Sequence, residues 1–295
     1  MSKKWLKVAL MVTAIATGTS IQVDAETVLY VPQDDRPVSL QYTVDTAKAA
    51  GMTVLTPPQN LISGKTYKGQ ADQIWNWVEQ NAGRADVMVL STDTLIYGGL
   101  VDSRKHNLPL STLENRLKRI EALKANHKNT RIYGFGTVMR SPRASGGGTE
   151  PSYYADYGPT IFQIAALQDK LDAGTLTQAE TQKLMSLQAS VPVEYLQDWF
   201  SRRQKNMQVN KDLIDEARNG VFAYFALGHD DTSQLSQSAL EGRYLNQYSK
   251  GIPRTQYGSF PGADQLGLLL MARSRTDESA EKPTFSVIYP LGGAG

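Results

Sequence analysis

The chain has 295 residues, with 31 Lys+Arg, 29 Asp+Glu, no cysteine and 41% hydrophobic residues. The lack of cysteine excludes disulfides, thiolate metal sites and a cysteine nucleophile. A near-balanced charge offers no basic stripe, so nucleic acid is not an expected partner.

In chain order, the first feature is a leader. Lys3, Lys4 and Lys7 precede the apolar stretch VALMVTAIATGTSI, and Val23-Asp24-Ala25 forms a small-residue cleavage site. The pattern predicts a signal peptide over residues 1–25 and export to the exterior or the cell envelope. The stretch is short of the roughly 20 apolar residues of a membrane span, so membrane is a partner only if the leader stays on. The leader holds three lysines and one aspartate, which leaves 28 charges of each sign in the 270 residues that follow. The pI near 8.6 therefore partly reflects the leader. That length can bury a sizeable core without staples.

Six apolar runs predict strands: TVLYV (27–31), MTVLT (52–56), DVMVLS (86–91), RIYGFGTVM (131–139), VFAYFAL (221–227) and TFSVIY (284–289). They are continuous rather than alternating, as in sheets covered on both faces. Helical patterns fall at 39–50, 69–82 and 110–128. In the last, Ser111 or Thr112 is placed to cap, with Glu114 in the first turn. The long connection after Met139 holds SPRASGGGTEP and three further helices, 158–172, 177–189 and 193–219, a helical insertion spanning about 140–219.

Alternating strands and helices imply an α/β fold with a parallel sheet. The expected form is a truncated (β/α) barrel-like scaffold, with an open doubly wound sheet as the alternative. Residues 26–295 read as one such domain. With no helix after TFSVIYPLGGAG, they read as the N-terminal part of a longer protein.

Polar clusters recur at the predicted strand ends: Asp34, Asp35 and Arg36; then Asp93, Tyr97, Gly98, Gly99, Ser103 and Arg104; then Arg140 and Arg143; then His229, Asp230 and Asp231. Carboxyl ends of parallel strands converge on one face, where sites are built. Each cluster has a plainer reading. Asp34-Asp35-Arg36-Pro37 also reads as a turn, and Asp93 as a helix cap. Arg202, Arg203 and Lys205 read as a solvated helix face. His106 and His127 read as exposed, and Trp75, Trp77 and Trp199 as core.

GHDDT (228–232) is harder to explain as structure alone. Adjacent carboxylates repel, and a protonated acid beside an ionised one is the equipment of glycosidic bond cleavage. Successive side chains of a regular strand point to opposite faces, so a shared role requires a bend at Gly228–Asp231. A hydrolytic metal is the rival chemistry, but no HExxH or HxH supports it. SGKT (63–66) lacks the glycine of a phosphate loop, because Gln59 stands there. YGFGTV (133–138) lacks the third glycine of a dinucleotide fingerprint.

VPQDDRPVS, LSTDTLIYGGLVDSR, the RSP segment, RRQKNMQVN, LGHDDT and YGSFPGADQLG occur in this order over residues 27–295. Together they resemble the bacterial family known as domain of unknown function 4127. The resemblance implies exported or cell-associated proteins considerably longer than this chain. It assigns Asp34, Asp35, Arg36, Asp93, Tyr97, Gly98, Gly99, Arg104, Arg140, Asn206, Asn210, Asp230, Asp231, Pro261, Gly262 and Asp264 to recurring motifs. It brings no activity with it. The tandem Asp-Asp is also similar to that of acetamido-sugar glycosidases, at the level of fold analogy.

The expected function is thus an exported hydrolase of glycosidase type, without cofactor or metal, acting on carbohydrate, with an amino sugar as one candidate substrate. Asp230 and Asp231 form the expected catalytic pair. Asp34, Asp35, Arg36, Asp93, Tyr97, Arg140, His229 and Asp264 are the expected substrate ligands. Replacing either catalytic aspartate by Asn should abolish turnover with little change in melting temperature. The alternatives are a non-catalytic envelope module that binds a sugar or small polar ligand, and a metal-dependent hydrolase.

Overall fold

The structure is a computed structural model that describes residues 25–145, 147–279, 284 and 286. Six strands form one wholly parallel sheet: β1 (Thr27–Val31), β2 (Thr53–Leu55), β3 (Val87–Ser91), β4 (Arg131–Val138), β5 (Tyr224–His229) and β6 (Tyr257–Pro261). Their order is β2-β1-β3-β4-β5-β6. Register follows the apolar runs, with Val28 beside Val54 and Val87, and Phe135 beside Ser91 and Ala226.

The sheet is open and doubly wound, not barrel-like. A barrel needs each strand beside its predecessor. Here β2 is added on one side of β1 and β3 on the other, so the winding reverses. With right-handed crossovers, that reversal puts helices on opposite faces. One face carries α1 (Gln41–Ala49) and α10 (Leu266–Glu278), whose Ala47, Leu266, Leu270 and Met271 cover Val28, Tyr30, Val87 and Val89. The other carries α2 (Ala71–Asn81), α5 (Leu110–Asn126) and α8 (Val193–Arg218) over Leu29, Val31, Met88 and Leu90.

The helices seat by their periodicity. Ala71, Ile74, Trp75 and Val78 form the buried stripe of α2, and Leu113, Leu117, Ile120 and Leu123 that of α5. Truncating a fully buried Ile74 or Leu113 to Ala costs about 2–5 kcal/mol in such cores. Gly134 and Gly136 keep β4 open to its neighbours. A Cβ on Gly134 would lie 2.5 Å from Phe222 Cε1, so the ring takes the space a side chain would fill.

The insertion between β4 and β5 holds α6 (Tyr154–Asp172), α7 (Gln178–Ala189) and the long α8. It has its own core around Tyr154, Ile161, Leu184 and Trp199. α6 starts before the predicted 158 because its first turn, closed by Tyr154 N–Pro151 O and Tyr157 N–Tyr153 O bonds, precedes the helix-breaking Pro159. α5 has no side-chain cap; it begins after Pro109, and neither Ser111 nor Thr112 serves as one. The capping box lies instead on α7, where Thr177 and Glu180 bond each other's backbone amides.

Four helices and a strand escape the periodicity reading. TDTLIYGGLVDSRK folds into two short helices, α3 (Thr92–Tyr97) and α4 (Leu100–Lys105). The last part of the chain supplies α9 (Gln237–Tyr248), β6 and α10. The run predicted as a strand at 284–289 falls almost wholly outside the described residues. Thr284 and Ser286, which are described, are exposed and in no regular element.

Candidate functional site

Every strand but β2 ends in a polar turn, and these turns meet. After β1, the Arg36 amide and Nε donate to the buried Asp34 carboxylate at 3.2 and 2.9 Å. Arg36 Nη2 reaches Asp264, beyond β6, at 2.8 Å. Burial opposes the Arg36 charge, but Asp34 and then Asp264 outweigh it and hold the guanidinium above its ordinary range. The 34–36 turn is thereby tied to the loop after β6, whose Gly262 amide donates to His229 O at 2.8 Å.

A second cluster lies at the switch point, where β1 and β3 neighbour each other. Ser91, the last residue of β3, caps α3 through its hydroxyl and sets Asp93 in the first turn. Only 2% of Asp93 is exposed. Its Oδ2 accepts from Thr137 Oγ1 at 2.8 Å and from Gln33 Nε2 at 3.1 Å, bonds that reach β4 and the β1 turn. Burial is the dominant influence on this carboxyl. Its hydrogen bonds favour the charged form, the Asp230 charge opposes it, and the net effect pushes the pKa up to about 6.

Asp230 is held differently. Arg104 Nη2 sits 2.5 Å from its Oδ2, with 4% of the Arg104 side chain and 13% of the Asp230 side chain exposed. Burial lowers the Arg104 pKa despite that partner, and Arg140 lowers it further. Arg140 in turn pairs with the buried Glu150, its Nε 2.8 Å from the carboxylate. Two neighbouring acids thus have contrasting surroundings: Asp93 buried among neutral dipoles, Asp230 against a guanidinium.

The expected Asp230–Asp231 pair diverges. Beyond the last bond of β5 the chain bends, and Asp231 accepts from the amides of Ser233 at 2.8 Å and Ser141 at 3.3 Å. It closes its own turn and pins the end of β4. Asp35 accepts from Tyr67 OH, and its amide bonds Ser63 O. His229 is half-buried. Its Nε2 lies 2.7 Å from Ser259 Oγ, and its ring packs so close to Gly242 that a Cβ there would lie 2.5 Å from Cε1. Burial lowers its pKa. Tyr97 turns into the core and stacks on His106 with centroids 4.9 Å apart. Burial, and next Asp93, push its hydroxyl well above the usual range.

Asp34, Arg36 and Asp264 therefore make one cluster. Asp93, Asp230 and Arg140, with Arg104, make the other, and Gln33 bridges them. Among the described residues, Tyr97 and His229 make no side-chain bond to either cluster: Tyr97 stacks on His106, and His229 bonds Ser259. Among the described residues, no three His, Asp or Glu side chains gather as a metal site.

Arg202 and Arg203 do not form a solvated face; both are buried. Arg203 makes a bidentate pair with Glu241 at 2.7 and 2.6 Å and donates to Met139 O and Arg140 O at 2.7 and 2.9 Å. One helical step on, Asn206 donates to Ser103 O at 2.9 Å, and Asn210 to Thr137 O at 3.3 Å. This i, i+3, i+7 row on α8 grips the backbone of the strand-end turns. His106 is likewise buried rather than exposed. Its Nε2 lies 2.8 Å from Asn206 Oδ1, and burial pushes its pKa down to about 4.

The family described as protein of unknown function, DUF4127, matches residues 28–294. The chain belongs to the DUF4127 family. No curated protein and no solved structure matches the chain. The matched range contains the two polar clusters, the α8 row that holds them, and Gly98-Gly99. Gly98 takes φ 113° to end α3, a conformation in which a side chain is strained.

Proposed function

We propose that this DUF4127 protein is an exported acid–base hydrolase of the glycosidase type, acting on carbohydrate in the crevice outside β1, β3, β4 and β5. One observation carries the reading: Asp93 is pushed up to about 6 while its neighbour Asp230 is held against the Arg104 guanidinium. An acid raised by burial, next to a carboxylate paired with a guanidinium, is what one proton donor and one source of negative charge require. Asp93 is the general acid in this reading, protonating the leaving oxygen. Asp230 supplies the negative charge that steadies an oxocarbenium-like transition state or activates water. Asp231 positions the Ser141 turn, and Arg140, Arg36 and Asp264 hold substrate hydroxyls. Export follows from the leader pattern at residues 1–25.

A non-catalytic sugar-binding module is the second reading. It is favoured by Asp230 and Asp231 both being satisfied by groups of the protein itself. Turnover of the full chain on a panel of glycans and chromogenic glycosides separates the two. Asp93→Asn and Asp230→Asn should each lower kcat by about 100-fold or more, with ligand binding retained. Binding with no turnover on any glycan, or turnover that survives both substitutions, sinks the hydrolase reading.

A further inference from the structure

We propose that the ligand of this crevice is an anionic glycan, whose carboxylate or phosphate groups lie along a rim formed by Lys65, Lys68 and Lys105. The proposal rests on the reading of the crevice as a carbohydrate site. The 63–69 loop folds over the β1 turn through the Asp35 amide bond to Ser63 O and the Tyr67 bond to Asp35. It is anchored at its end by the Gly69 amide, 3.0 Å from Asp102 Oδ2. Lys105, next to Arg104 at the end of α4, reaches Gly148 O at 2.9 Å. Lys65 approaches the same glycine loop, since a Cβ on Gly147 would lie 3.9 Å from its Nζ. Segments distant in sequence thus bring Lys65 and Lys105 to one glycine loop, and Lys68 and Lys105 to Asp102.

All three lysines are exposed, and none makes an ion pair among the described residues. The carboxylates nearby point inward or are engaged. Asp102 is buried beneath the rim and attracts Lys68 and Lys105. Glu150 is paired with Arg140 and Asp230 with Arg104, while Asp35 accepts from the neutral Tyr67 hydroxyl. Asp264, half exposed, pairs with Arg36 on the β6 side. Three lysines that make no ion pair among the described residues, set against the carboxylates of Asp102 and Asp35, leave this rim with an excess of positive charge, in a mature chain that is otherwise balanced. Lysine ammoniums are mobile point charges, suited to anions spaced along a polymer rather than to one fixed fork.

The test uses three matched polymers: neutral dextran, carboxymethyl-dextran and dextran phosphate. Their affinities are measured for the full chain, for K65E/K68E/K105E, and for K48E/K128E/K183E, which reverses three exposed lysines elsewhere. At low salt the wild type and the K48E/K128E/K183E control should bind a charged dextran about tenfold or more tighter than the neutral one. The rim variant should lose that preference, and added salt should weaken it. A preference confined to the carboxymethyl form identifies a uronate-type ligand, and one confined to the phosphate form a phosphodiester. Equal binding of neutral and charged dextran, an unaffected rim variant, or an equal loss in the control overturns the proposal. Asp93→Asn tested alongside keeps the two ideas apart. If its turnover survives while charged-dextran binding stays rim-dependent, the hydrolase reading fails and the anionic rim stands.

Discussion

Asp93→Asn should stabilise the protein, and more so as pH rises. In the folded state burial pushes the Asp93 carboxyl from its usual 3.8 to about 6. Because the folded pKa lies above the unfolded one, the folded state keeps a proton that the unfolded state has lost between these values. Stability therefore falls as pH rises through this window and levels off above about 6. The full cost of ionising the buried group is about 3 kcal/mol, at 1.36 kcal/mol per pH unit. About 1 kcal/mol of it is already felt at pH 4.5, so the gap between variant and wild type should widen by about 2 kcal/mol between pH 4.5 and 7.5. The wild-type profile alone is ambiguous. His106, pushed down to about 4, contributes the opposite slope, with stability lost as pH falls from 6.5. That slope is common to both proteins and cancels in the difference. Urea unfolding of wild type and variant at the two pH values measures the gap. An identical gap at both would refute the claim that Asp93 is held protonated by burial.

Asp230→Asn leaves the Arg104 guanidinium buried without its counter-ion, so it should cost about 3–5 kcal/mol, against the small change expected from sequence. Asp231→Ala removes only two amide caps and should cost about 1–2 kcal/mol; paired thermal melts rank the two. Arg203→Ala strands Glu241 and frees the carbonyls of Met139 and Arg140, so it should cost about 3–5 kcal/mol and raise KM as the Arg140 turn loosens. Gly69→Ala would drive a Cβ into Gly98 O. It should destabilise by about 1–3 kcal/mol and increase proteolysis within the 63–69 loop, whereas Gly83→Ala, which meets nothing within 4 Å, should do neither.

β1 to β5 were legible because they are short continuous apolar runs between amphipathic helices, and α2 and α5 follow their stripes closely, whereas β6, YGSFP, is no such run. Whether the sheet closed was not legible, since local pattern carries no information on which side of β1 the third strand is added. α3 and α4 were hidden by their brevity and by the Gly98-Gly99 break. α9 and α10 were hidden by mixed polar composition. In the site, the convergence of strand ends was readable from parallel topology alone. The partners were not. Nothing local in GHDDT reveals that Asp230 meets Arg104, 126 residues away, while Asp231 turns back to Ser233. Arg203, with Arg202 and Lys205, read as solvated because charged groups on a helix usually are. Only the buried Glu241 and the strand-end carbonyls explain the position of Arg203.

The central claim is that Asp93 retains a proton well above the ordinary carboxylate range because it is buried beside a charged Asp230. Following the Asp93 side-chain carboxyl by carbon-13 NMR through a pH titration of the full chain, with and without Asp230→Asn, measures this directly. The account predicts a midpoint near 6 that drops when the Asp230 charge is removed. A midpoint near 4 in the wild type, or one indifferent to Asp230→Asn, would contradict it.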